Sequence, residues 1–171
     1  MARPTSTVVV IAGDGAASLL ERLRSFANID VVRAAADAAG SHAVYVLHAD
    51  DPLADVGSTW SRFFDGEEPV GGLEVAVEQA LVTLRGQVTL PDYYLVLDPD
   101  TLAPTPRHWW FGVLATAAPG RVIPVAGEPA AVGTALAELP AGRWWPDPPD
   151  EWLRGLPRAV PDQVGTIHDR S

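Results

Sequence analysis

A β-branched run, Thr7–Ile11 (TVVVI), passes through Ala12-Gly13-Asp14-Gly15 directly into a segment whose Leu19, Leu20, Leu23 and Phe26 recur at helical spacing. Five consecutive β-branched residues favour a strand. The i, i+1, i+4, i+7 spacing marks one face of a helix, predicted over Ala16–Phe26. Strand, glycine turn and helix form the unit from which parallel α/β sheets are assembled. The same unit aims the N–H groups of the helix start at whatever lies above the strand, which is how such folds meet a phosphate. The rest of a phosphate site is missing. No Gly-Lys pair precedes the helix, and all 12 basic residues of the chain are arginine. A phosphate-loop lysine acts as a compact point charge, which a planar guanidinium does not reproduce.

The alternation continues along the chain. Further strands are predicted at Ile29–Arg33, His42–His48, Tyr93–Leu97 and Arg121–Val125, the last with Pro124 placing it at an edge. Between them, helices are predicted at Leu53–Phe64, at about Pro106–Ala117 and at Ala130–Leu139. A further helix follows Gly71-Gly72, where Leu73, Val77, Ala80, Leu81 and Leu84 form an apolar stripe ended by Gly86. Asp65–Gly72 reads as a loop. The predicted fold is α/β with three αβα layers and a mostly parallel sheet of five or six strands, Rossmann-like in plan. Residues 1–140 form the core domain, 141–157 a Trp/Pro-rich arm packed on it, and 158–171 a flexible tail.

Charge and composition narrow the function classes. A formal net charge of −10 argues against nucleic-acid binding, which needs a basic face. The absence of cysteine removes disulfides, thiolate metal sites and thiol nucleophiles. No window approaches the ~20 apolar residues of a membrane span, and the first residues lack a signal-peptide pattern, so a cytoplasmic location is expected. His42, His48, His108 and His168 lack metal-ligand spacing, and no cofactor or metal is expected.

Taken in order, the loop residues resemble those of a Ras-like small GTPase with decayed motifs. Gly13, Asp14, Gly15 and Ser18 stand where that family has its first phosphate motif. Asp37-Ala38-Ala39-Gly40 matches its Asp-x-x-Gly motif, near metal and γ-phosphate in the family. Asp98-Pro99-Asp100 stands at the guanine motif, where only the base-reading Asp100 is retained. The resemblance covers about residues 7–139 and implies a degenerate nucleotide cleft formed by Gly13, Asp14, Gly15, Ser18, Asp37, Gly40 and Asp100. The switch threonine and lysine are absent, and the interval from Ser18 to Asp37 is too short for switch I. The expectation is a cleft that binds no GTP, in a domain without catalytic residues.

Two other readings compete for the strand ends. Asp50, Asp51, Asp98 and Asp100 could form a magnesium cluster as in receiver-like domains, but those need a lysine, and aspartate also suits turns and helix caps. The stretch Tyr93–Val125 is similar to part of a TIR-type domain, which implies NAD binding or cleavage. Glu74 and Glu78 are its helical candidates for a catalytic glutamate. The tryptophans carry the interaction signal, because large aromatics concentrate at interface hot spots. Trp60, Trp109, Trp110, Trp144, Trp145 and Trp152 are therefore the candidates for contact with a protein partner. Adjacent helical residues point about 100° apart, so Trp109, Trp110 and Phe111 should not all face inward. The arm bearing Trp144, Trp145 and Trp152 has the alternative of folding back over that helix.

Overall fold

A computed structural model describes residues 6–161. Five strands form one all-parallel sheet: β1 (Thr7–Ala12), β2 (Ile29–Val31), β3 (Tyr45–His48), β4 (Tyr93–Leu97) and β5 (Val122–Val125), in the order β2-β3-β1-β4-β5. The register pairs Val9 with Leu47 of β3 and with Tyr93 of β4, which puts β1 at the centre. Neither the 3-2-1-4-5 nor the 2-1-3-4-5 order of the common doubly wound sheets is followed.

Period-two alternation divides the central strands between two cores. Val9, Ile11, Tyr93, Leu95 and Leu97 point to the face covered by α1 (Ala16–Leu23) and α6 (Pro129–Ala137). Val10, Tyr94 and Val96 point to the opposite face. There they meet α2 (Ala54–Phe64), α3 (Val70–Arg85), the segment Trp109–Leu114 that continues α4 (Pro104–His108), and α7 (Asp150–Arg154). Every residue of β4 is buried, as a central parallel strand requires. β5 lies at the edge, where Pro124 leaves no ladder bond unmade.

Element ends differ from the sequence reading where a cap or neighbour decides them. α1 stops at Leu23 rather than Phe26, and Phe26 stays 39% exposed instead of joining the buried stripe. β3 starts at Tyr45, three residues later than the hydrophobic run suggests. α3 begins at Val70 after Pro69, so Gly71 and Gly72 fall inside its first turn and not in a loop. The helix over residues 104–117 widens into a π turn at Trp109–Leu114 before a short α5 (Ala115–Ala117). That widening changes the facing argument. Trp109 is buried, and Trp110 and Phe111 are partly buried against the same cluster. The arm is not extended throughout: α7 forms at Asp150–Arg154, followed by a 3-10 turn at Leu156–Arg158. The expected tail from residue 162 onward, with His168, lies outside the described residues.

Candidate functional site

The carboxyl ends of parallel strands are where an α/β sheet offers a ligand crevice, at the point where the winding direction reverses. Here the chain leaves β1 for β2 on one side and later leaves β3 for β4 on the other, so β1 stands at the reversal. The β1 exit is three residues long. Gly13 (φ 118°), Asp14 and Gly15 (φ 80°) connect Ala12 to the first residue of α1. The Gly13 carbonyl accepts the Ala16 N–H at 3.3 Å, closing the turn. Gly13 is required twice over: its φ is left-handed, and a Cβ there would meet Leu97 Cβ and O at 3.2 Å. The turn is tight, not a wrapped loop, and Asp14 and Ser18 at its rim are exposed.

The acidic residues along this edge bind the protein's own backbone. Asp37 accepts the Ala34 N–H at 3.2 Å and so caps the 3-10 turn Ala35–Gly40. Asp50 accepts the Ala35 N–H at 2.8 Å and ties the ends of β2 and β3 together. Asp51 Oδ1 accepts the Leu53 N–H at 2.9 Å and the Tyr94 hydroxyl at 2.6 Å, at the start of α2. Asp98, in left-handed backbone (φ 43°), accepts the Gly127 N–H at 3.0 Å and joins the ends of β4 and β5. Asp100 turns outward, its side chain fully in solvent and 3.9 Å from Arg107. Arg107 donates its Nε to the Pro99 carbonyl at 3.3 Å and its Nη2 to the Asp100 carbonyl at 2.9 Å.

The residues matched to the small-GTPase motifs follow three different strands. Gly13, Asp14, Gly15 and Ser18 follow the central strand. Asp37 and Gly40 follow the edge strand β2, with β3 between them. Asp100 lies beyond β4 and faces solvent. Among the described residues no three His, Asp or Glu side chains come together as a metal ion needs, so Asp50, Asp51, Asp98 and Asp100 do not form a magnesium cluster. Glu74 and Glu78 sit on the exposed side of α3, away from the strand ends, and Glu78 is ion-paired with Arg154 at 2.7 Å.

Three groups at this edge have displaced protonation equilibria. Burial raises the Asp51 carboxyl to about 6, partly opposed by hydrogen bonds from Tyr94 and the Leu53 N–H. Burial likewise raises the Tyr94 phenol, reinforced by the Asp51 charge. His48, 2% exposed, is lowered by burial, with Asp50 pulling the other way. Its Nδ1 accepts the Asp50 N–H at 3.2 Å, which fits a neutral imidazole protonated at Nε2. These shifts come from close packing and local capping.

The tryptophans divide between core and surface. Trp60 (0% exposed), Trp109 (3%) and Trp145 (8%) are core residues, which removes them as partner contacts. Trp60 packs 4.9 Å from Phe64 and 5.8 Å from Trp109, ring centre to ring centre. Trp145 stands edge-on to Tyr94 at 5.6 Å and donates its indole N–H to the Pro91 carbonyl at 2.7 Å. Trp110 and Trp152 are half-buried, and Trp144 is 47% exposed. The arm thus closes over the α4 side of the sheet through Tyr94, which touches both Trp110 and Trp145.

Sequence reasoning missed Arg121. It is 5% exposed at the amino end of β5, beside a cavity of about 840 Å³ also lined by Ser6, Tyr93, Trp144, Trp145 and Asp147. Its Nε donates to the Arg143 carbonyl at 3.3 Å and its Nη2 to the Gly142 carbonyl at 2.9 Å. The guanidinium carbon lies 4.8 Å from the Tyr93 ring centre and 3.9 Å from that of Trp144. Tyr93 donates its hydroxyl to the Pro140 carbonyl at 2.6 Å. Arginine and tyrosine together clamp the chain that enters the arm, the cation being held by carbonyls and π faces. No local motif announces this, because the partners lie about twenty residues downstream.

Comparison with protein-family models, with curated proteins and with solved structures finds no match for the chain. Among the described residues no helix is long and apolar enough to cross a membrane.

Proposed function

We propose that this chain is a catalytically inactive, GTPase-like α/β domain that serves as a scaffold or regulatory subunit in a protein complex. The observation that carries this reading is a strand-end crevice closed on itself. The β1 exit is a three-residue turn; Asp37 and Asp51 accept backbone N–H groups of their own loops, and Asp50 and Asp98 those of the neighbouring loops at Ala35 and Gly127. A polyphosphate needs the opposite: convergent free N–H groups, a cation and a metal held by hydroxyl and carboxylate. This edge offers aspartates and no lysine, so a triphosphate brought to it meets repulsion.

Calorimetric titration with GTP and with NAD, each with magnesium, tests the proposal. The expected result is no saturable heat up to about 1 mM ligand, which is binding weaker than about 4 kcal/mol. Micromolar binding of either compound, or nucleotide retained through purification, refutes it.

A further inference from the structure

The cavity of about 840 Å³ lies at the amino ends of β1, β4 and β5, across the sheet from the strand-end crevice. Ser6, Tyr93 and Arg121 line it at those three strand starts. The arm closes one side of it through Trp144 and Trp145. Its size is that of a small-molecule site. Leu84, Leu90 and Trp145 give it apolar walls, and the Trp145 ring is fixed by its indole N–H bond to the Pro91 carbonyl at 2.7 Å.

Arg121, 5% exposed, brings a buried charge to this cavity without a carboxylate of its own. None of the ion pairs among the described residues involves it. Its Nε and Nη2 are committed to the Arg143 and Gly142 carbonyls. Nη1 makes no hydrogen bond among the described residues, yet it is not sealed in protein. The sealed polar side-chain atoms without a partner there are Trp60 Nε1 and His108 Nδ1. Nη1 is therefore open to solvent space, and the space that Arg121 lines is the cavity. Carbonyls and ring faces offset part of the cost of burying a guanidinium, and a counter-anion would offset more. Two carboxylates also line the cavity: Asp92, which accepts the Val8 N–H at 2.7 Å, and the exposed Asp147. An anion drawn to Arg121 meets them in turn, so a second negative charge on it is opposed. We infer that the cavity binds a small monocarboxylate with a flat apolar body. Its carboxylate would accept from Arg121 Nη1, and its body would lie against Trp145, Leu84 and Leu90. The site gives the scaffold reading a small-molecule ligand and does not rest on it.

The test uses the full chain, isotopically labelled, and probes that share one benzyl body: hydrocinnamate, its uncharged amide, and benzylmalonate, which carries a second carboxylate. Amide and indole N–H shifts locate binding, and titration gives affinity. The expected result is saturable binding of hydrocinnamate below about 1 mM, with shifts centred on Tyr93, Arg121 and Trp145. The amide and benzylmalonate should each bind at least about tenfold more weakly, the first for want of a charged hydrogen bond and the second through repulsion. Thr89→Trp, at an exposed position on the cavity wall, should block binding by filling the space while circular dichroism stays unchanged. Arg121→Gln should abolish the preference for acid over amide. Where that variant loses the arm, seen as faster proteolysis, the comparison of acid with amide on the parent chain decides alone. Equal binding of acid and amide, benzylmalonate binding as tightly as hydrocinnamate, or binding that survives Thr89→Trp overturns the inference. So do shifts centred elsewhere, or no binding at about 1 mM. Failure here leaves the nucleotide titration untouched, and bound nucleotide at the strand ends leaves this cavity untouched, so the two failures are distinguishable.

Discussion

Replacing Asp51 with asparagine probes the most perturbed group at the strand ends. The amide keeps an oxygen to accept from the Tyr94 hydroxyl and the Leu53 N–H, and it removes the charge. In the folded protein the carboxyl is raised from 3.8 to about 6. The folded state therefore holds a proton that the unfolded state has released in the window between those values. Stability contributed by Asp51 must then fall as pH rises from about 4 to about 6, and stay low above. A displacement of that size corresponds to about 3 kcal/mol as an upper figure. Residual solvent contact of the half-buried residue lowers it. Urea unfolding of both proteins at intervals from pH 4 to pH 8 isolates the term, because all other carboxylates cancel in the difference. Asp51→Asn should match the parent near pH 4 and exceed it by about 1–3 kcal/mol at pH 7.5. A difference that does not change with pH, or a variant less stable at pH 7.5 than at pH 4 relative to the parent, refutes the reasoning.

Gly57→Ala places a methyl within 2.7 Å of Trp109 Cε2 and 2.9 Å of Cδ1, in a core where Trp109 is 3% exposed. Overpacking should cost about 1–3 kcal/mol and outweigh the helix-propensity gain, whereas Gly71→Ala, with open space around it, should be neutral or stabilising; thermal melts compare them. Gly13→Ala combines a left-handed φ with contact at Leu97 and should destabilise by about 1–3 kcal/mol in urea unfolding, with unchanged secondary structure by circular dichroism. Arg121→Leu removes two hydrogen bonds to the Gly142 and Arg143 carbonyls. It should release the arm, seen as faster proteolysis between residues 140 and 150, and cost about 1–3 kcal/mol; a proteolysis rate equal to the parent's would show that the clamp is idle.

The layered plan was legible because it rests on local signals. An unbroken apolar run in Tyr93–Leu97, a stripe from Leu73 to Leu81, and Pro124 on an edge strand need no knowledge of distant residues. The turn and cap roles of Asp37 and Asp51 were legible as an alternative for the same reason, since aspartate captures N–H groups within two or three residues of itself, whereas the N–H partners of Asp50 and Asp98 lie far along the chain. Element ends were less legible. The Gly71-Gly72 pair looks like a loop, yet Pro69 starts the helix before it, and the buried residues from Leu73 onward hold a helix that begins with two poor helix formers.

Sequence alone determined the alternation of strands and helices, the two-sided burial of the central strands and the want of a lysine, because each is a property of single residues or short-range periodicity. Tertiary structure decided the strand order, which sets Asp37 a strand away from the glycine turn. It also decided which tryptophans reach solvent, and the use of Arg121 as a clamp. These depend on contacts between residues far apart in the chain. A five-strand pattern is compatible with many orders, and a tryptophan is equally suited to core and surface until its neighbours are known.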